Sequence, residues 1–157
     1  MRYRLATEGD VHALAEMRWD FRTETVERPP TIAKEEFAAS CAEFFRRALG
    51  EGRWVCWLAE EDGQIVSHMF IQRIRKIPNP CRLHGEFGYI TNAYTRPPFR
   101  GKGIGAALLQ RVKEWARQQD LELLILWPSD TSVAFYERAG FSSEHEILQC
   151  RLRGDAR

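Results

Sequence analysis

A surplus of either charge is what this 157-residue chain lacks: 23 Lys and Arg stand against 22 Asp and Glu, for a formal net charge of +1. That balance gives no support to nucleic-acid binding across a broad basic face. Long apolar runs are also missing. Those present, such as Leu123 to Trp127, have the length of a strand, whereas a membrane span needs about 20 residues. Cys41, Cys56, Cys81 and Cys150 stand far apart without a Cys-x-x-Cys pair, which argues against a zinc site or a disulfide frame. Thiols of a reducing cytoplasm fit them better. His12, His68, His84 and His145 are scattered without ligand spacing, so no metal is expected. No internal repeat occurs, and Thr7-Glu8-Gly9-Asp10 interrupts any signal-peptide core. With 44% hydrophobic and 29% charged residues, the chain is expected to form a single soluble domain over residues 1–157.

The stretch that is present and unusual runs from Tyr89 to Leu109, Y-I-T-N-A-Y-T-R-P-P-F-R-G-K-G-I-G-A-A-L-L. It reads as a strand, a proline pair, a glycine turn and the start of an apolar helix. Helix starts leave backbone N–H groups unpaired and carry partial positive charge. Gly101, Gly103 and Gly105 would let a ligand approach those groups, and Arg100 and Lys102 add charge at the rim, so the turn is a candidate phosphate cradle. Two familiar phosphate loops do not fit. A P-loop needs Ser or Thr after its Lys, but Gly103 follows Lys102. The dinucleotide fingerprint needs a third glycine where Leu108 stands. Arg100-x-x-Gly103-x-Gly105 remains.

The other elements follow from periodicity and punctuation. Met1–Ala6 reads as a first strand, and Thr7 or Asp10 caps a helix through Arg22. Pro29-Pro30 stops that helix, and Thr31 caps a second one from Ile32 to Leu49. Phe37, Cys41, Phe44, Phe45 and Ala48 form its apolar stripe. Arg53–Glu60 and Gln64–Ile77 read as strands joined by a turn at Glu61-Asp62-Gly63. Glu86–Thr95 is the strand that feeds the glycine turn, and Gly103–Gln119 is the helix after it. Leu121–Trp127 reads as a strand buried on both faces, Ser132–Ala139 as a short helix, and Glu146–Leu152 as a last strand.

Two stretches together make the chain recognisable. Arg100-x-x-Gly103-x-Gly105 resembles the acetyl-CoA motif of the GNAT superfamily of N-acetyltransferases, Gln or Arg-x-x-Gly-x-Gly or Ala. Phe135-Tyr136-Glu137-Arg138-Ala139-Gly140-Phe141 is similar to that family's F-Y-E-x-x-G-F segment. The resemblance implies an α/β fold of the α+β type in the order βααβββαβαβ, a mixed sheet of about six to seven strands flanked by about four helices. It implies acetyl-CoA as co-substrate and direct transfer of its acetyl group to a primary amine of a small-molecule or peptide acceptor. Nucleic acid and membrane are not expected partners; many relatives form homodimers. A transferase for another acyl group, or a CoA-binding module with little or no catalysis, is the alternative.

The resemblance also suggests roles. Backbone N–H groups of Gly101, Lys102, Gly103, Ile104, Gly105 and Ala106 would hold the pyrophosphate, with Arg100 at the rim. Main chain of Ala93, Tyr94 and Thr95 would pair with the pantetheine arm where a bulge splays the strand. Tyr136 is the candidate acid for the departing thiolate, since a phenol titrates near a thiol. Relatives that use a glutamate base carry it where Tyr89 stands here, so Glu86, His84 and Glu24 are the nearby candidates, with Glu86 preferred. Ser129 occupies the position of a CoA-contacting asparagine, seven residues before Tyr136. Asn92 either faces the acceptor pocket or satisfies backbone at the splay. The acceptor segments offer Trp19, Phe21, Glu24 and Glu27, then His84 and Glu86, an acidic and aromatic set that would suit a cationic amine or be ordinary surface.

Overall fold

A computed structural model of the chain describes residues 1–24 and 29–142. These residues fall into two compact units, Met1–Trp127 and a short one that starts at Pro128.

In the first unit, β1 (Arg2–Leu5), β2 (Trp54–Glu61), β3 (Gln64–Arg75), β4 (Glu86–Thr95) and β5 (Leu124–Ile125) form one sheet in sequence order. All neighbours are antiparallel except β4 and β5, which run parallel. Asp62 and Gly63 both take positive φ, 50° and 78°, giving the two-residue hairpin turn whose twist matches the flanking strands. Helices α1 (Val11–Thr23) and α2 (Lys34–Gly50) pack on one face. Val11, Leu14 and Met17 meet Ala42 and Phe45 over Cys56, Leu58 and Phe70 there. Leu58 and Ala59 are neighbours on β2 and so point to opposite faces. On the Ala59 face, Ile104 of α3 (Ile104–Gln118) packs with Ala59 and Val66. Each fully buried side chain of this size stabilises the fold by roughly 1.5–3 kcal/mol.

The chain enters α1 through a short 3-10 turn, Glu8–Asp10. Asp10 accepts from the Thr7 backbone N–H at 2.7 Å and from both terminal nitrogens of Arg4 at 2.8 Å. The second unit holds a 3-10 turn at Asp130–Ser132 and α4 (Val133–Arg138), which ends before Gly140 at φ 87°.

Several expectations need correction. Among the described residues the sheet has five strands rather than six or seven, and the expected strand at Glu146–Leu152 lies outside them. Thr31 caps nothing: α2 begins at Lys34 behind Ala33, whose side chain has no hydrogen-bonding group. Of the α2 stripe only Phe45 and Ala48 are buried, with Ala42 in addition, and Phe44 is exposed. The run Leu121–Trp127 pairs with β4 through Leu124 and Ile125 alone, and Leu123 and Trp127 are exposed. Leu121, Leu124, Ile125 and Leu126 are half-buried, so the run is not buried on both faces. No described helix is long and apolar enough to cross a membrane.

Candidate active site

After β4 the chain makes a 3-10 turn at Pro97–Phe99 and then the glycine turn. Gly101 and Gly103 both have positive φ, 72° and 76°, and Gly103 is the residue from which α3 starts. A Cβ built on either would meet nothing within 4 Å, so their neighbourhood is open and their left-handed backbone is what demands glycine. The helix ladder begins with the Ala107 N–H bonding to the Gly103 carbonyl at 3.0 Å. Among the described residues, the backbone N–H groups from Gly101 through Ala106 therefore have no backbone acceptor. They lie in an open turn, exposed at Gly101, Lys102, Gly103 and Ala106. Unpaired donors at a helix start fit an oxyanion such as a pyrophosphate.

The strand leading into the turn is irregular. His68 faces Tyr94 and Phe70 faces Thr91, so Asn92 and Ala93 together oppose Met69 alone. Asn92 takes the left-handed conformation, φ 49°, which is uncommon for a residue with a side chain. On its other edge β4 pairs with β5 only at Gly88 and Tyr89. Among the described residues that edge has no strand partner from Ile90 to Thr95, although the Thr95 carbonyl accepts from the Arg100 side chain. The Tyr94 side chain is buried in the α1 core, so this edge offers backbone there rather than side chain.

Charged side chains from α1 and the turn interlock. Arg100 bonds to Glu24 through both terminal nitrogens and donates from Nε to the Thr95 carbonyl at 2.9 Å. The Tyr94 hydroxyl donates to Glu24 at 3.1 Å, and the Arg100 guanidinium lies 5.4 Å from the Tyr94 ring centre. Arg100 holds the Glu24 carboxyl below the usual carboxylate range, against a smaller opposing effect of desolvation. Arg96 pairs with Asp20 at 3.2 Å. Arg18 donates to Asn92 Oδ1 at 2.9 Å. Beneath the bulge His68 is fully buried, and neither ring nitrogen has a hydrogen-bond partner. Burial pulls the imidazole pKa down to about 3, against a smaller raising effect of the neighbouring Asn92 side chain and backbone, neither of which reaches hydrogen-bond geometry.

The remaining expected residues sit apart from this cluster or in the second unit. Glu86, at the far end of β4, accepts from Arg73 at 2.6 Å and from Arg75 at 3.0 Å. Desolvation raises its pKa, but the two arginines outweigh that and hold it low. His84 is exposed. In the second unit the Ser129 hydroxyl bonds to Ser132 at 3.0 Å, and the Ser132 hydroxyl donates back to the Ser129 carbonyl at 2.9 Å. Tyr136 packs edge-on against Phe135 and Phe141, 4.9 and 5.6 Å away, and burial raises its pKa. Glu27 lies outside the described residues.

A family model described as the acetyltransferase (GNAT) family matches residues 11–141. The chain belongs to that family. Among curated relatives it is 37% identical, over 128 residues, to a glucosamine 6-phosphate N-acetyltransferase of Trypanosoma brucei brucei, covering 80% of this chain and 81% of that one. It is 34% identical, over 112 residues, to an uncharacterized N-acetyltransferase of Methanocaldococcus jannaschii, covering 64% of this chain. The match spans 49% of that protein's length. A crystal structure of a predicted acetyltransferase of Clostridium acetobutylicum with acetyl-CoA superposes with a TM-score of 0.79 at 29% identity, covering 96% of each chain. An acetyltransferase structure from Ralstonia eutropha shares the fold at a TM-score of 0.74 and 22% identity, covering 96% of this chain and 97% of that one.

Sequence reasoning passed over Arg18 and His68. Arg18 looked like one more helix residue near the apolar stripe, and His68 like one scattered histidine. A histidine set among Ser67, Met69, Phe70 and Ile71 on a continuous apolar strand was the available signal, because such a strand buries whatever it carries.

Proposed function

We propose that this chain is an acetyl-CoA-dependent N-acetyltransferase that acts on a primary amine by direct attack in a ternary complex. The observation that carries the reading is the run of unpaired N–H groups from Gly101 to Ala106, beside an edge of β4 that has no strand partner among the described residues. Acetyl-CoA, when bound, supplies an activated acetyl group as a thioester. The N–H groups of Gly101 to Ala106 bind its pyrophosphate, and Arg100 and Lys102 border them. Main chain of Ala93, Tyr94 and Thr95 pairs with the pantetheine arm, and the bulge aims an N–H at the thioester carbonyl oxygen, where charge develops. Ser129 adds one hydrogen bond to the arm. The family match runs without a break from residue 11 to 141, which supports a single acetyltransferase domain.

Forming the amide bond while the C–S bond breaks requires one proton to leave the nitrogen and one to reach the sulfur. Tyr136 is the donor in this reading, and its raised pKa keeps the phenol protonated until the thiolate forms. Glu86 suits the acceptor role less well: two arginines stabilise its charged form and lower its basicity. It serves here to tie the start of β4 to β3, and the nitrogen loses its proton to water. The Trypanosoma relative, by its name, acts on glucosamine 6-phosphate, which makes a phosphorylated amino sugar the first acceptor to try.

Release of free thiol from acetyl-CoA across a panel of amines tests the reading. Tyr136→Phe is expected to slow turnover by about 10²-fold with acetyl-CoA affinity unchanged. Acetyl-CoA binding without turnover of any amine would favour the non-catalytic module, and faster transfer from a longer acyl-CoA would favour another acyl group.

A further inference from the structure

Helix α1 carries Arg18 and Arg22 one turn apart, and among the described residues neither has a carboxylate partner. The acids on the same helix end are engaged by other cations: Asp20 by Arg96, and Glu24 by Arg100. Like charges at this spacing disfavour a helix. Arg18 is half-buried, and desolvation followed by repulsion from Arg22 works against its charge. A guanidinium has five N–H donors. The bond to Asn92 is the one side-chain hydrogen bond Arg18 makes among the described residues.

Arg18 reaches from α1 to the β4 bulge. Asn92 is the left-handed residue of the β4 bulge, where β4 has parted from β5. Behind it lies His68, fully buried with both ring nitrogens unpartnered, and the fields of Arg18 and Arg96 reach its ring. The Tyr89 phenol is near enough to Arg18 to act on its charge, and the Tyr89 ring packs 4.8 Å from that of Trp127, an exposed aromatic. Donors and aromatic surface thus converge where acidic side chains are already spoken for. Of the acids expected at the acceptor pocket, Glu24 is taken up by Arg100, and Glu27 lies outside the described residues.

We propose that the junction of α1 with the β4 bulge binds an oxyanion of the acceptor: the substrate carries a carboxylate or phosphate group beside its amine, and Arg18 receives it. This rests on the transferase reading given above. Asn92 holds one edge of the guanidinium, so its remaining N–H groups are oriented for bidentate recognition. Because Arg18 bonds to the bulge where transfer takes place, the anion lies only a few bonds from the nucleophilic nitrogen. Amino acids and phosphorylated amino sugars meet that requirement. Polyamines and other polycations are repelled.

The test uses matched acceptors followed by thiol release: an amino acid against its amide, a hexosamine against its phosphate ester, and a diamine. The anionic member of one pair is expected to lead in kcat/KM, and which pair responds identifies carboxylate or phosphate. Arg18→Met should lower kcat/KM for that acceptor by about 10–100-fold more than for the neutral member, so that the anion preference is lost. Arg18→Lys, which keeps the charge but loses the fork, should fall between. A second readout needs no turnover: inorganic phosphate or acetate, against chloride at equal ionic strength, should raise the melting temperature of wild type and not of Arg18→Met, with or without CoA. Preference for neutral or cationic acceptors, an unchanged anion preference in Arg18→Met, or no anion-dependent shift in wild type overturns the proposal. Failure of wild type to bind acetyl-CoA, measured separately by calorimetry, counts against the transferase reading instead.

Discussion

His68 is a sensitive probe of the packing beneath the β4 bulge. It is fully buried among Phe70 and Tyr94, 5.6 and 6.1 Å away between ring centres, with neither nitrogen paired. Burial lowers its pKa from 6.5 to about 3, and the positive charges of Arg18 and Arg96 push the same way. The unfolded chain therefore binds a proton at this residue below pH 6.5 that the folded chain refuses until about pH 3, so its contribution to stability is full above pH 6.5 and falls as pH drops. Between pH 7.5 and 5.0 the loss amounts to about 2 kcal/mol, at 1.36 kcal/mol per unit over the 1.5 units below the unfolded value. His68→Leu has nearly the same volume and cannot titrate. Urea denaturation at pH 7.5 and pH 5.0 should show the wild type losing about 2 kcal/mol more than the variant across this interval. Most carboxylates remain ionised at pH 5.0, and their effects are common to both proteins. Parallel losses in the two proteins would refute a buried neutral histidine at this position.

Two further predictions concern the frame that carries the site. Asp10 is held near a pKa of about 2 chiefly by its hydrogen bonds from Arg4, so Asp10→Asn should cost about 1–3 kcal/mol at pH 7. In denaturation at several pH values that deficit should shrink as pH falls from about 4 toward 2, where the wild-type carboxylate becomes protonated. A Cβ on Gly88 would lie 2.6 Å from Leu124 Cδ2 and 3.0 Å from Ile71 Cγ2, so Gly88→Ala should destabilise by roughly 1–3 kcal/mol, read as a lower urea midpoint at unchanged slope.

Local rules read β4 and its sequel well. Glu86–Thr95, the Asp62-Gly63 turn and the helix after Gly103 fall where alternation, turn chemistry and apolar spacing put them, because each is decided by residues close in sequence. The glycine turn at Gly101 and Gly103 was legible for the same reason. Glu24 was not: it lies 76 residues before Arg100, and nothing in periodicity tells which acid an arginine will reach. The left-handed Asn92 was equally hidden, since a bulge is a property of two strands in register and not of either alone. Composition misread Leu121–Trp127, whose apolar residues are half-buried or exposed. Thr31 failed as a cap because Ala33, two residues later, sets the helix start.

The most direct test of the account is calorimetric titration of acetyl-CoA into the wild type and into Gly103→Glu. Gly103 has φ 76° in open space, so a glutamate there strains the turn and sets a negative charge among the N–H groups proposed to bind the pyrophosphate. Binding by the wild type that is lost in a variant with an intact circular dichroism spectrum is the predicted result. A folded wild type that does not bind acetyl-CoA, or a folded Gly103→Glu that binds it equally well, would contradict the claim that this turn holds the co-substrate.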